Sequence, residues 1–302
     1  MHTTVLNILT PTNFNFWRTA YSHGWADLPP FSYNSDTEEL SRVLTVDSGT
    51  VVSALLKAKG KRIKVKIDSV KPLSLFQKQF LISQLKSCLR LNEDFSDFHR
   101  AARWHPEYKW IGTSGSGRML RAPTVFEDVL KMICTTNCTW ALTKLMVTNL
   151  VEHFGEEFHR TLHAFPTAEA IAASSEKYLR KEIKAGYRSP YLIELAERVA
   201  SGKLDLESWR TSDLPTDELF KQMRQVKGVG PYAAGNLMKL VGRYDYLGLD
   251  SWVRAQYYKL HRNGRTVKDS TIEKHYEPYG KWRGLFFWLE MTRYWHDDKF
   301  KL

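Results

Sequence analysis

The sequence predicts an α+β protein in which a small N-terminal antiparallel β-sheet domain, residues 1–70, precedes a large all-helical body, residues 71–302. Two observations support this class. β-branched residues concentrate in short segments before residue 70, which is typical of strands. From Pro72 onward, apolar residues recur at intervals of three or four, which is typical of amphipathic helices. A chain of 302 residues can bury a substantial core.

The N-terminal domain is predicted from short segments rich in β-branched residues. Ile63, Val65 and Ile67 alternate with Lys64 and Lys66, as expected for a strand with one buried face. The predicted strands cover residues 4–9, 41–46, 50–56 and 62–67. A short helix is expected between the first two strands, at residues 14–21.

The helical body is predicted from stripes of apolar residues at helical spacing. The clearest stripe consists of Phe126, Val129, Leu130, Ile133 and Cys134. The predicted helices cover residues 75–89, 126–134, 142–150, 168–173, 176–183, 190–201, 218–223, 231–242, 251–260, 272–279 and 282–295.

A tight turn at residues 226–230 is the most informative local feature. Gly228 and Gly230 permit positive φ and close approach of another backbone, while Val226 and Val229 can turn inward. Pro231 suits the first position of a helix. The free N–H groups of the turn and helix start then form a site for an anion such as phosphate. The alternative is an ordinary corner between two helices.

Asp250 is the candidate for chemistry next to this turn. The helix after the turn has an apolar stripe that includes Leu237 and Leu240, while Lys239 and Arg243 add positive charge. Asp250 follows it, directly before another helical pattern. The alternative role for Asp250 is helix N-cap, and the two roles are compatible because a cap holds a carboxylate rigidly.

The stretch 226–254 resembles the helix–hairpin–helix (HhH-GPD) DNA glycosylase superfamily, in which a hairpin and a catalytic Asp follow in this order. Residues 117–123, 133–137 and 186–188 resemble segments of the 8-oxoguanine DNA glycosylase branch. The layout is closest to the 8-oxoguanine and 3-methyladenine DNA glycosylase II branch. The resemblance implies two helical subdomains, residues 71–123 plus 271–302 and residues 124–270, with a cleft between them.

The same resemblance implies a DNA glycosylase of base excision repair. Asp250 would be the catalytic residue, and the enzyme would hydrolyse the N-glycosidic bond of a flipped, damaged purine, alkylated or oxidised, to leave an abasic site. The alternatives are a non-catalytic DNA-binding protein and a bifunctional glycosylase/lyase acting on 8-oxoguanine. The implied DNA-binding residues are Lys227, Gly228, Val229, Gly230, Asn137 and Arg254. The implied base-pocket residues are Tyr232, Trp140, Trp252, Phe287 and Trp288.

Simpler roles are open for most of these residues. The aromatic side chains could be ordinary core residues, and Lys227 and Arg254 could belong to a solvated face. Asn137 could cap the helix that begins near Trp140 instead of filling the gap left by a flipped nucleotide.

Two positions depart from the 8-oxoguanine pattern. Bifunctional relatives carry a nucleophilic lysine where this chain has Tyr232, and tyrosine cannot form a Schiff base. The departure therefore predicts a monofunctional enzyme. Phe287 aligns with a glutamine that reads the lesion in that branch. An apolar residue there favours a base with a weakened glycosidic bond, such as a positively charged alkylpurine.

Composition is consistent with a polyanionic partner, and we predict double-stranded DNA containing a damaged base. Lys and Arg number 44 against 33 acidic residues, for a net charge of +11. The only cysteines, Cys88, Cys134 and Cys138, cannot supply the four thiolates of an iron–sulfur cluster, so we predict no metal and no cofactor. The lack of a long apolar run or a signal-peptide pattern predicts an intracellular protein without a membrane span. We expect a monomer.

Overall fold

The computed structural model of the protein describes residues 1–159 and 161–295. Its N-terminal part is a five-stranded sheet with the order β1-β5-β4-β3-β2, and every neighbouring pair is antiparallel. The strands are β1 (His2–Leu9), β2 (Phe31–Asn34), β3 (Glu39–Asp47), β4 (Thr50–Lys59) and β5 (Arg62–Ser69). A sheet followed by a mostly helical body confirms the predicted fold class.

The sheet buries one face, as its sequence pattern predicts. In β5, Ile63, Val65 and Ile67 are buried, whereas Lys64 and Lys66 are exposed. β2 was not predicted because it has only four residues, too few for an alternating pattern to stand out.

The remaining chain is mainly helical. A two-stranded hairpin, β6 (Glu157–His159) and β7 (Leu162–His163), interrupts it. The helices are α1 (Phe16–Ala20), α2 (Leu75–Cys88), α3 (Ser96–Trp104), α4 (Lys109–Ser114), α5 (Val125–Thr135), α6 (Trp140–Phe154), α7 (Ala168–Ala172), α8 (Glu176–Lys181), α9 (Ser189–Ala200), α10 (Thr216–Met223), α11 (Pro231–Leu240), α12 (Ser251–His261), α13 (Asp269–Tyr276) and α14 (Arg283–Met291). Within the described ranges, no helix has the length and apolar composition needed to cross a membrane.

The helical stripes identified most helices, with two exceptions. α3 and α4 were not predicted, because α3 buries only Phe98, His99 and Ala102 and exposes a tryptophan, Trp104. The last predicted helix, residues 282–295, is interrupted: α14 ends at Met291, and after a turn at Thr292 residues 293–295 are helical again.

α5 lies at the centre of the molecule and is buried on every side. All ten residues from Val125 to Cys134 are buried, including three charged ones. Glu127 accepts two hydrogen bonds from Arg42 of β3, at 3.1 and 2.5 Å, and pairs with Lys131 at 2.7 Å. Despite its burial, these two cations hold the pKa of Glu127 below its ordinary value. The Glu127–Arg42 pair therefore joins the sheet to the helical body.

We expect Arg42→Met to lower the free energy of unfolding by about 3 kcal/mol, because removing one partner leaves a buried charge poorly compensated. Urea denaturation followed by circular dichroism measures this. Arg100→Met, which removes an exposed pair with Asp97, should change stability by less than about 1 kcal/mol. Below its depressed pKa, Glu127 is protonated and no longer forms the ion pair. The difference in unfolding free energy between wild type and Arg42→Met should therefore shrink as the pH falls through that pKa. Equal losses in both variants at neutral pH would contradict this role of the pair.

Candidate active site

The predicted turn connects α10 to α11 and has the expected inward valines. Val226 and Val229 are buried, and the N–H of Val229 donates to the carbonyl of Val226 at 3.0 Å. Gly228 has the predicted positive φ of 86°. Gly230 does not: it is the N-cap of α11 in an extended conformation, with φ −80° and ψ −176°. The prediction of a second positive-φ position was wrong because Gly230 already belongs to the helix start.

The start of α11 is open to solvent. Gly230 and Pro231 are exposed, no side chain caps this helix end, and a Cβ built on Gly230 meets no atom within 4 Å. The first N–H groups of a helix lack intrahelical acceptors, so they remain available to an anion. Lys227, beside the turn, is exposed and pairs with Glu194 at 2.5 Å. A surface pair of this kind is weak enough to yield to a phosphate.

Asp250 is the N-cap of α12. Its Oδ1 accepts the N–H of Val253 at 2.8 Å, so the alternative role considered for it is real. Asp250 also lies on the wall of a cavity of about 490 Å³. The cap bond fixes one oxygen of the carboxylate, and this side chain thus combines rigidity with access to the cavity.

Seven of the 19 described lining residues of this cavity are tryptophan or tyrosine. Four of the five residues predicted for a base pocket lie there: Tyr232, Trp140, Trp252 and Trp288. The other described lining residues are Tyr21, His23, Gly24, Trp25, Ala26, Asp27, Met119, Met132, Thr135, Cys138, Thr143, Asn236, Leu240 and Trp295. The structure therefore brings Asp250 and this set of rings to one place.

Phe287 is the predicted pocket residue that the structure places elsewhere. It is fully buried and packs edge-on against Tyr276, with ring centroids 5.1 Å apart. Adjacent residues of a helix point about 100° apart. Because Trp288 faces the cavity from α14, Phe287 faces the core, and its assignment to the base pocket was wrong.

The N-terminal segment forms a wall that sequence reasoning missed. Trp25 is held by a hydrogen bond from its Nε1 to Asp128 of α5, at 2.8 Å. Trp288 of α14 donates its Nε1 to the backbone oxygen of Ser22, also at 2.8 Å. No local motif marks these residues, because their proximity to Asp250 arises only from the tertiary fold.

His23 is a polar group on this wall. Burial and the neighbouring cations Arg90, Lys131 and Lys239 lower the pKa of His23 to about 3, so its ring is neutral at physiological pH. Its Nδ1 lies 3.0 Å from the hydroxyl of Ser22, which accepts the N–H of Leu120. The serine proton is therefore available to Nδ1, which would leave the proton of the ring on Nε2.

Tyr232 projects from the first turn of α11 into the cavity. Burial, reinforced by the charge of Asp250, raises the pKa of Tyr232 to about 12. Its phenol is therefore protonated at neutral pH. It can pack against a ligand or donate a hydrogen bond, but it cannot serve as a general base there.

Asn137 lies at the surface between α5 and α6. Thr139, not Asn137, caps α6, so the alternative role for Asn137 does not hold. Asn137 has a positive φ of 47° and donates its side-chain amide to the hydroxyl of Tyr187 at 3.4 Å. Tyr187 is exposed and donates to the carbonyl of Thr136 at 3.3 Å. The side chains of Asn137 and Tyr187 therefore lie together at the surface as one polar and aromatic pair.

Three further expectations need correction or qualification. Arg254 makes two hydrogen bonds of 2.8 Å to Asp269 in a partly exposed pair, so a phosphate would have to displace this carboxylate, and the DNA-binding role of Arg254 stays a prediction. Lys239 does not add surface charge, because it is completely buried. The four-residue spacing of Cys134 and Cys138 predicts one shared helix face, but α5 ends at Thr135, so the two cysteines do not share one.

The family model described as HhH-GPD superfamily base excision DNA repair protein matches residues 130–280, half of the chain. The chain belongs to this superfamily. The prediction of a base excision repair DNA glycosylase is thereby confirmed, and a non-catalytic DNA-binding protein is not favoured.

Individual relatives of this HhH-GPD protein are distant. A DNA-3-methyladenine glycosylase of Bacillus subtilis is 21% identical over 238 residues, which cover 73% of this chain and 77% of the relative. The structure of a 3-methyladenine DNA-glycosylase from Archaeoglobus fulgidus has a TM-score of 0.76 at 18% identity, covering 96% of this chain and 99% of that one. An 8-oxoguanine glycosylase/lyase of Clostridium acetobutylicum, solved with DNA, has a TM-score of 0.65 at 19% identity, with coverages of 90% and 99%. These two structures show the shared fold.

The two glycines of the hairpin should respond differently to substitution by alanine. Gly228→Ala should lower the melting temperature, because the residue has positive φ and its new Cβ would lie 3.0 Å from Tyr191. Gly230→Ala should leave the melting temperature unchanged and weaken binding to duplex DNA, because its methyl group would occupy the open space where a phosphate approaches. Thermal melts and fluorescence anisotropy at two salt concentrations measure both effects. Unchanged DNA affinity in folded Gly230→Ala would rule out this phosphate site.

Proposed function

We propose that this protein is a monofunctional DNA glycosylase that removes positively charged, alkylated purines from duplex DNA and leaves abasic sites. The observation that carries the proposal is the position of Asp250, on the wall of an aromatic cavity large enough for a base. A duplex base must leave the stack before an enzyme can cut its bond to the sugar, and a closed aromatic pocket receives it.

Asp250 would act on the sugar rather than on the base. Cleavage of a glycosidic bond develops positive charge on the sugar ring, and a nearby carboxylate stabilises that charge. The cap bond to the N–H of Val253 holds one oxygen of Asp250. The second oxygen would then face the reacting sugar and help to orient the attacking water.

The cavity favours a cationic base. Its rings include Trp25, Trp140, Trp252 and Trp288, and indole faces attract cations. Its acidic lining residues are Asp27 and Asp250, and the described lining includes no lysine or arginine. Alkylation of a purine ring nitrogen gives the base a positive charge and weakens its bond to the sugar. The name of the Bacillus subtilis relative, a 3-methyladenine glycosylase, is consistent with such a substrate.

The absence of a lysine from the described lining supports the monofunctional assignment. A lyase reaction requires an amine that attacks the sugar. Tyr232 stands at the position where lyases of the family carry that amine, and its raised pKa keeps it a neutral phenol. The buried Lys239 donates to three oxygen atoms of the protein, so its amine is not free to attack.

DNA would be held at two surface points. The open start of α11, with Gly228, Val229, Gly230 and Lys227 beside it, would bind a backbone phosphate. Asn137, supported by Tyr187, would enter the gap left by the flipped nucleotide. The net charge of +11 would add attraction that declines with salt.

Asp250→Asn tests the catalytic role of the carboxylate. Asparagine keeps the size and capping ability of aspartate but removes its charge. We expect single-turnover release of 7-methylguanine or 3-methyladenine to fall by at least 100-fold, with duplex affinity and melting temperature nearly unchanged. An 8-oxoguanine duplex serves as the comparison substrate. Wild-type rates in the asparagine variant would exclude this role.

Strand integrity tests the monofunctional assignment. The wild-type protein should release the base while the strand stays intact until alkali is added. Borohydride should trap no covalent protein–DNA product, because no imine forms. A known bifunctional glycosylase/lyase provides the positive control. Efficient trapping would show that an amine of this chain attacks the sugar and would overturn the assignment.

A further inference from the structure

Lys239 is a completely buried lysine one turn beyond the cavity-lining residue Asn236. Its Nζ donates to the backbone oxygen of Leu247 at 2.7 Å, to the backbone oxygen of Gly235 at 3.2 Å, and to Oδ1 of Asn236 at 3.2 Å. The first acceptor lies in the loop that leads to Asp250, and the other two lie on α11. The side chain therefore connects the two segments that follow the hairpin.

The backbone of the loop touches α11 at the same place. Gly248 has a positive φ of 69°, and a Cβ on it would lie 2.9 to 3.0 Å from the side-chain amide of Asn236. From the helix side, a Cβ on Gly235 would lie 2.8 Å from the Cα of Gly248. The loop is thus seated directly on the helix two residues before Asp250, with no side chain between them.

The Asn236 amide is held in one orientation by the same contacts. Its Oδ1 accepts from Lys239, and its Nδ2 donates to the backbone oxygen of Tyr232 at 3.0 Å. Asn236, Tyr232 and Asp250 all line the cavity. Lys239 itself does not line the cavity. It bonds directly to one wall residue, Asn236, and it bonds to Leu247, which precedes the second wall residue, Asp250, by three positions.

We propose that Lys239 is a positioning residue for base excision: it clamps the Asp250-bearing loop onto α11 and so sets the place of the carboxylate relative to the bound nucleotide. This inference rests on the proposed catalytic role of Asp250. We define the clamp as Gly235, Asn236, Lys239, Leu247 and Gly248.

A lysine suits this position because of its number of donors. The ammonium group has three N–H bonds, and the clamp presents three oxygen acceptors. A neutral amine has only two N–H bonds and would direct its lone pair at the third oxygen. A methionine would fill nearly the same volume and donate none.

The protonation of Lys239 gives the clamp a measurable signature. Burial lowers the pKa of Lys239 to about 7, and the charge of Asp250 opposes this shift. Other titratable or charged groups near it are His23, on the N-terminal segment, Arg90, which donates to the backbone oxygen of Lys239 at 2.8 Å, and Arg121, which donates to the backbone oxygen of Leu240 at 3.2 Å. Raising the pH through 7 therefore removes the third donor of the clamp.

As the pH rises through 7, the stability of the wild-type protein relative to a Lys239→Met variant should increase while its excision rate decreases. Because the pKa of Lys239 is lower in the folded protein than the ordinary value of 10.5, the unfolded chain holds more protons between about pH 7 and that value. The wild-type protein should thus gain stability relative to a Lys239→Met variant as the pH rises through this window. A clamp that supports catalysis should meanwhile lose activity.

The experiment compares Lys239→Met with wild type in single-turnover excision of 7-methylguanine from pH 6 to 9. At pH 6.5 we expect a rate lower by about 10- to 100-fold, the cost of a displacement near 1 Å at a catalytic group. Duplex affinity should be unchanged, and the melting temperature should shift by a few degrees at most, because the lost hydrogen bonds are offset by removal of a buried charge. The wild-type rate should fall as the pH rises through 7, and this decline should be missing in the variant.

Three further variants make the result decisive. Gly248→Ala displaces the same loop without touching Lys239 and should lower the rate in the same way. Lys131→Met removes another fully buried lysine, which pairs with Glu127, and should change stability but not the rate of the folded fraction. Asp250→Asn is measured in parallel.

If Asp250→Asn is inactive while both Lys239→Met and Gly248→Ala excise at wild-type rates, the clamp is refuted and the proposed function stands. If Asp250→Asn excises at the wild-type rate, the proposed catalytic role of Asp250 is refuted, and the clamp proposal, which rests on that role, is refuted with it.

If Lys239→Met does not fold, Gly248→Ala alone decides. Loss of rate with retained duplex affinity in that variant supports the clamp, and a wild-type rate overturns it. A parallel loss of rate and melting temperature in Lys239→Met, with no change in the pH profile, would also overturn it, because it would show only structural support.

Discussion

The central helix α5 and its buried charges constrain the rest of the structure. Glu127 faces the sheet and is neutralised by Arg42 and Lys131. Asp128, the next residue, faces the N-terminal segment and accepts hydrogen bonds from Trp25 and from the N–H of Ala122. Burial of two carboxylates is tolerable only because each has such partners. The requirement to satisfy them fixes where the sheet and the cavity wall lie.

These contacts explain why a β-sheet domain belongs to a site built on helices. The sheet is anchored through Arg42, and the segment between β1 and β2 then passes along the cavity with His23 and Trp25. α5 also supports the hairpin, since Ile133 lies next to Gly228. One buried helix therefore supports both the wall that would receive the base and the turn that would hold the phosphate.

The local features of the site were predictable from sequence, and its assembly was not. The turn at residues 226–230, its inward valines and the capping role of Asp250 depend on backbone preferences that act over a few residues, so their pattern is visible in the chain. The same is true of the alternation in β5. Whether Phe287 or Trp288 faces the cavity depends on the rotation of α14 about its axis, which an apolar sequence on both faces does not fix.

Lys239 shows a second limit of sequence reasoning. A lysine on an amphipathic helix is ordinarily a solvated residue, and three carbonyl acceptors from two segments are needed to bury it. Two of those acceptors are backbone atoms, which carry no residue-type signature. The contribution of residues 21–27 was hidden for a related reason, because contacts across most of the chain leave no periodic pattern near the motif.

The hydrogen bond between Trp288 and the backbone of Ser22 joins parts of the chain that are 266 residues apart. Such a contact closes a very long loop and can form only after residue 288 has been synthesised. The hairpin, the cap of α12 and the clamp are all local and can form earlier. During synthesis on a ribosome, the growing chain would acquire its means of holding a DNA backbone before it could enclose a base. The fold thereby delays the appearance of a complete active site until α14 has emerged and docked.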